Sequence, residues 1–325
     1  MRNGQSGVTL IEVMVALAVG SFLMIGAIQV YSQSRAAYVI NESIARVQET
    51  AHFAMDTVEA DLRMASNWGR HSRGSAVEGR SLIGDNNPKG LTVPLGATGS
   101  CGATWAFDLA RPIAGGNNAY TLPCAPAGGA VAQGNSDIVT ARRATVAPTA
   151  LQPGQLQIQS TRIQGELFQD GVVPPTFDPA ESETHDLLVN SYYVATNSAL
   201  IPGAPTLRRK SLQSVGGAPA IVDQEIAPGV ENMQLQFGVD VDEDNTVDRY
   251  VNPGDAILDP ANAAFIPGSR VITARIWLLV RGLTPETGIR DNVNYAPGDV
   301  ALGNFNDNFR RIQVSKTILL RNARS

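Results

Sequence analysis

The chain has 325 residues, 43% of them hydrophobic and 17% charged, with a net charge of −5. That length allows one to three domains and ample chain for a core. The composition excludes a wholly disordered chain, and the mild acidity argues against nucleic acid as the main partner. From Val13 to Tyr31 the sequence is almost wholly apolar, with Ser21 and Gln29 the clearly polar exceptions. About 19 residues at 1.5 Å each make roughly 28 Å of helix, enough to cross a bilayer core. Glu12 stands at the N-terminal edge of that run. A carboxylate there is expensive in lipid and calls for a specific partner.

Ahead of Glu12 lies the polar leader MRNGQSG, with Arg2 its one basic side chain. A secretory signal would place its small-residue cleavage site after the apolar segment, whereas Gly7 comes before it. The run Gly7-Val8-Thr9-Leu10-Ile11-Glu12, followed by the apolar segment, resembles a type IV prepilin leader. Val8 departs mildly from the Phe or Met usual at that place. The resemblance implies cleavage after Gly7 by a membrane prepilin peptidase and N-methylation of Val8. It also implies that Glu12 pairs with the N-terminal ammonium of a neighbouring subunit during assembly, so that each charge offsets the other's cost in hydrocarbon. The alternative is an ordinary single-pass anchor with a chance glutamate at its edge.

Beyond Tyr31, apolar residues recur by threes and fours at Val39, Ile40, Ile44, Val47, Ala51, Ala54, Met55, Val58, Leu62 and Ala65. Polar residues, Asp56, Glu59, Asp61 and Arg63 among them, fill the gaps, as on an amphipathic helix with a solvated face. No Pro or Gly interrupts 31–67, so the spacing predicts one helix over about 9–67, near 90 Å long. Its first half, 8–31, is expected to span the membrane or filament core, and its second to be the spine of a head. Gly20 and Gly26 are read equally as bending points or as sites of close helix packing.

Residues 69–134 are rich in Gly, Asn, Pro and Ser and hold both cysteines, Cys101 and Cys124. In an exported domain these read as one disulfide, stabilising by about 3 kcal/mol in the chain-entropy model. No Cys-x-x-Cys or His pair supports a metal or redox role. From 136 onward strands are predicted at 137–141, 156–160, 187–195, 207–211, 233–239, 271–280 and 312–320. Met233-Gln234-Leu235-Gln236-Phe237 alternates as a half-buried strand does, while Ile276-Trp277-Leu278-Leu279-Val280 is continuously apolar and reads as central. Without intervening helices, parallel βαβ units are not expected.

Asp240, Asp242, Asp244 and Asp248 occupy positions 1, 3, 5 and 9 of one tight loop, with Thr246 at position 7 offering a backbone carbonyl. Such a set can converge on a calcium ion. The loop lacks the Gly at position 6, replaced by Asn245, and the Glu at position 12, replaced by Val251; water or Asp255 is left to complete the shell. The competing reading is a solvated acidic hairpin turn. The run from Ala227 to Asp240, this loop, Val247-Asp248-Arg249-Tyr250, the segment Ile276–Arg281 and the ending from Arg310-Arg311 to Asn322 resemble the PilW family of minor pilins. That resemblance implies a low-abundance filament subunit. With other minor and major pilins it primes assembly and sits at the tip, where a PilY-type adhesin docks. A J-type pseudopilin of type II secretion is the nearest alternative, and a membrane-anchored periplasmic binding protein or enzyme is the other.

No enzyme is expected. Ser182, His185 and Asp186 are too close in sequence for a relay, and His185 reads as a solvated surface histidine. Arg142-Arg143 and Arg208-Arg209-Lys210 read as solvated strand faces. The expected fold is α+β and pilin-like: a leader (1–7), a long N-terminal helix (8–67) and a β-rich antiparallel head (68–325).

Overall fold

The computed structural model describes residues 7–80, 105–126 and 131–324, in two compact units, Met1–Arg46 and Val47–Ser325. The fold is α+β, one long N-terminal helix and an antiparallel β-rich region. Helix α1 (Leu10–Met64) begins in the first unit, and it contains a stretch long and apolar enough to cross a membrane. Leu10, Leu17, Phe22 and Leu23 there are exposed, as are Val39 and Ile40 farther along. The predicted apolar stripe is therefore buried only from Val47, in the second unit, where Val47, Ala51, Ala54, Met55, Val58 and Leu62 enter the core. The helix stops at Met64, short of the expected residue 67. Ser66 takes a left-handed φ of 67° and donates its N–H to Arg142 O at 3.3 Å, which turns the chain away from the helix axis.

Among the described residues of the second unit, eight strands make one sheet: β1 (Val77–Glu78), β2 (Ile113–Gly116), β3 (Ile138–Ala144), β4 (Gln157–Ser160), β5 (Gly165–Phe168), β6 (Glu183–Ala195), β7 (Thr206–Val215) and β8 (Ala218–Pro228). The long β6 is its hub, pairing with β4 through 183–186, with β3 through 187–192 and with β7 through 190–195. All described pairs in this sheet are antiparallel except the short β1–β5 pair. The strands β9 (Val230–Asp240), β10 (Arg249–Val251), β11 (Arg270–Arg281) and β12 (Arg311–Leu319) form a second, wholly antiparallel sheet in the order β10-β9-β11-β12. The apolar run 276–280 is central, as its sequence predicts.

One core joins the helical stripe to Met233, Leu235, Phe237 and Val239 of β9, to Ala274, Ile276, Leu278 and Val280 of β11, and to Val139, Tyr192 and Leu207 of the first sheet. A second cluster gathers Trp68, Phe107, Leu156, Ile158, Leu167 and Leu187. β1 and β2 lie within the segment 69–134, whose sequence shows few regular runs.

The sheets are tied at Asp137, which is buried just before β3. Its two carboxylate oxygens accept the N–H groups of Asn118 and Leu235, each at 2.7 Å. Burial pushes its pKa up to about 6, against the lowering effect of the two donors, and Asp299 adds to the rise. A raised folded-state pKa means that the stability Asp137 contributes is full below its unfolded value near 4. That stability is lost as pH climbs through 6. Comparing thermal melts of wild type and Asp137→Asn between pH 4 and 7 should expose this step, about 3 kcal/mol from roughly two pKa units, in the wild type alone. Parallel profiles would refute it.

Candidate functional site

Among the described residues, three places bear on the expected site residues. The first is the start of α1. Thr9 Oγ1 and Thr9 N–H donate to Glu12 Oε2 at 2.8 and 2.9 Å, and Glu12 N–H lies 3.4 Å from Thr9 Oγ1. This is a reciprocal capping box, Thr-x-x-Glu, satisfying amide groups that the helix itself leaves open. Glu12 thus has a local task besides any intermolecular one. The spacing carries that signal, yet the leader reading passes over it. Gly7 and Val8 lie directly ahead of the box, in no regular element.

The second place is the cluster where the end of α1 meets the first sheet. Asp61, expected on the solvated face, is buried. Its Oδ1 accepts from Arg143 Nε and Nη2 at 3.0 and 2.8 Å; its Oδ2 accepts from Asn190 Nδ2 at 2.7 Å and from the Tyr192 hydroxyl at 2.6 Å. The basic clusters also depart from expectation, because Arg142, Arg208 and Lys210 are buried. Arg142 donates to the carbonyls of Trp105 and Arg111. Arg208 and Lys210 face Asp223 at 2.8 and 2.9 Å across the β7–β8 hairpin, and the Tyr193 hydroxyl donates to the same carboxylate at 2.7 Å. Arg208 and Lys210 lose their water because β8 brings the Asp223 carboxylate to them, whereas backbone carbonyls meet Arg142.

His185 is likewise buried, its Nδ1 2.9 Å from Thr145 O. Ser182 Oγ donates instead to Asp178 O, and Asp186 accepts from Thr149 and Gln157, so Ser182, His185 and Asp186 each bond to residues outside the trio. Burial lowers the pKa of His71, whose ring nitrogens are buried without a hydrogen-bond partner.

The third place is the acidic loop between β9 and β10. It brings one oxygen each of Asp240, Asp242 and Asp244 within 4.8 Å of the other two. Asp248 turns one oxygen to Val241 N–H at 2.7 Å, and Asp255 caps the short turn after it by accepting Ile257 N–H. Thr246 donates from N–H and Oγ1 to Asp244 Oδ1, which lowers the pKa of that exposed carboxylate. Farther on, a cleft of about 420 Å³ is lined in part by Leu109, Pro112, Phe237, Leu258 and Phe265. Of the expected disulfide, Cys124 lies near the Tyr120 hydroxyl, and Cys101 falls outside the described residues.

Residues 191–322 match the family model of Type IV Pilus-assembly protein W, and residues 2–28 match that of the Prokaryotic N-terminal methylation motif. No curated protein and no solved structure matches the chain.

Proposed function

From the premise that this chain carries the PilW family region behind an N-terminal methylation motif, we propose that it is a minor pilin that primes type IV pilus assembly from the tip. In this reading the prepilin peptidase cuts after Gly7, Val8 becomes the methylated N-terminus, and α1 from Leu10 anchors the chain in the inner membrane with the head in the periplasm. Other minor and major pilins are its partners, and a PilY-type adhesin docks on the assembled tip. The chain acts by packing, not by catalysis. The observation that carries the proposal is the Thr9–Glu12 box directly behind Gly7-Val8 and directly ahead of an exposed apolar helix. In this reading the Glu12 carboxylate that caps its own helix also receives a neighbour's ammonium.

The test is the N-terminal mass of the protein in membrane and sheared-surface fractions of its host. A chain starting at methylated Val8 in the sheared fraction is expected. An intact Met1 confined to membranes would sink the proposal, and loss of secretion with surface pili intact on deletion would point to a pseudopilin. Glu12→Gln separates the two roles of Glu12, since glutamine can still close the capping box. It should leave the helix start folded but lower recovery in sheared filaments about tenfold, the equivalent of about 1.4 kcal/mol of lost pairing. Undiminished recovery would assign Glu12 to capping alone.

A further inference from the structure

The loop after β9 has a feature that a plain turn does not need. Asp240 is fully buried, and its two oxygens are treated differently. Oδ2 accepts Asn245 N–H at 3.0 Å and Arg270 Nε at 3.1 Å. Oδ1 is buried with no hydrogen-bond donor. A buried anionic oxygen without a partner keeps its whole desolvation cost unless a cation or water meets it. Two further carboxylates, those of the exposed Asp242 and Asp244, converge on the same residue. Among the described residues Arg270 is the cation paired with Asp240, and its Nη2, itself 3.1 Å from Asp240 Oδ2, also donates to the neutral acceptors Glu243 O and Asn245 Oδ1 at 3.2 Å each. Of the three gathered carboxylates, Asp240 is the one that an ion pair reaches among the described residues.

We propose that this loop is a calcium site, with Asp240, Asp242 and Asp244 as carboxylate ligands. Every donor offered is oxygen, which favours a hard cation over zinc or copper. An irregular loop with exposed arms suits the adaptable shell of calcium better than the strict octahedron of magnesium. The Thr246 carbonyl, Asp248 and water are available to fill further positions. The bound ion ties the exposed arm 242–244 to the buried end of β9 and so sets the geometry of the β9–β10 hairpin. The site is independent of the pilin reading and stands or falls separately.

The full-length chain in detergent, stripped with chelator, is titrated with calcium and with magnesium while bound metal and melting temperature are followed. One calcium per chain is expected, with a Kd of about 10⁻⁴–10⁻³ M as in extracellular modules. At tenfold excess over Kd the melting temperature should rise by about 3 °C. The double variant Asp242→Asn/Asp244→Asn changes exposed positions only. It should melt no lower than wild type in chelator and lose the calcium response. An absent shift, equal affinity for magnesium, or calcium binding retained by the double variant would each overturn the proposal.

Discussion

Replacing Arg311 with methionine should cost about 3–5 kcal/mol of stability, the range for stripping one partner from a buried ionic cluster. Arg311 opens β12, and its side chain is 1% exposed. Its Nε and Nη2 reach both oxygens of Glu231 on β9 at 2.5 and 3.2 Å. Nη1 donates to Asp291 at 3.0 Å, and Nη1 and Nη2 donate to Asp307 at 2.6 and 2.7 Å. The ring of Phe305 lies 3.8 Å from its guanidinium carbon. Burial alone would lower the guanidinium's pKa, but these carboxylates override it and hold the pKa far above the ordinary value.

The consequence reaches beyond one strand. The connection from β11 to β12, residues 282–310, forms no named strand or helix, and a loop of that length needs tethers. Arg311 fastens it at Asp291 and Asp307, and Arg310 fastens it again at Glu286 by a two-pronged pair at 3.1 and 3.0 Å. Methionine fills the aliphatic volume but leaves three carboxylates facing one another. Arg311→Lys keeps the charge without the fork and should fall between. Denaturant melts of the full chain in detergent measure both, and a loss below about 1 kcal/mol for Arg311→Met would show that solvent reaches the cluster after all.

Asp61→Ala should be nearly as damaging, by about 3–5 kcal/mol, because four donors on Arg143, Asn190 and Tyr192 lose their common acceptor. Burial, reinforced by Asp61, pushes the Tyr192 hydroxyl's pKa well up, so in the folded wild type it serves Asp61 as a neutral donor. Tyr192→Phe, removing one donor, should cost only about 1 kcal/mol. The same melts decide it. Equal losses for the two variants would mean that the Tyr192–Asp61 hydrogen bond alone, not a carboxylate shared by four donors, carries the contribution of Asp61.

How much of this was legible depends on distance along the chain. The membrane-length run, the stripe from Val47 to Leu62 and the apolar β11 are short-range patterns, and each reads true; β9 forms where its alternation predicts a strand, but Gln234 is fully buried, so the strand is not half-exposed. The hairpin of β7 and β8 is legible in principle, yet the strand pattern predicts only its first strand, at 207–211. Gly216-Gly217, both at positive φ, is a two-residue turn signal. Counting outward from it sets Lys210 opposite Asp223, with Arg208 opposite Glu225. Pro219 and Pro228 at the ends of β8 hid the strand. The capping box was equally open to reading from Thr9 and Glu12.

The buried charges were not legible. Asp61 sits at a position whose helical spacing looks solvated, and it is dry only because β3 and β6 bring Arg143, Asn190 and Tyr192 against it from 82 to 131 residues away. Arg311 carries no mark distinguishing it from its neighbour Arg310 until Glu231, Asp291 and Asp307 close around it. Periodicity reports which side of an element is apolar, because that follows from bond geometry within a few residues. Whether a charge is worth burying depends on which partners the sheet register supplies, and those partners meet only when the chain has folded.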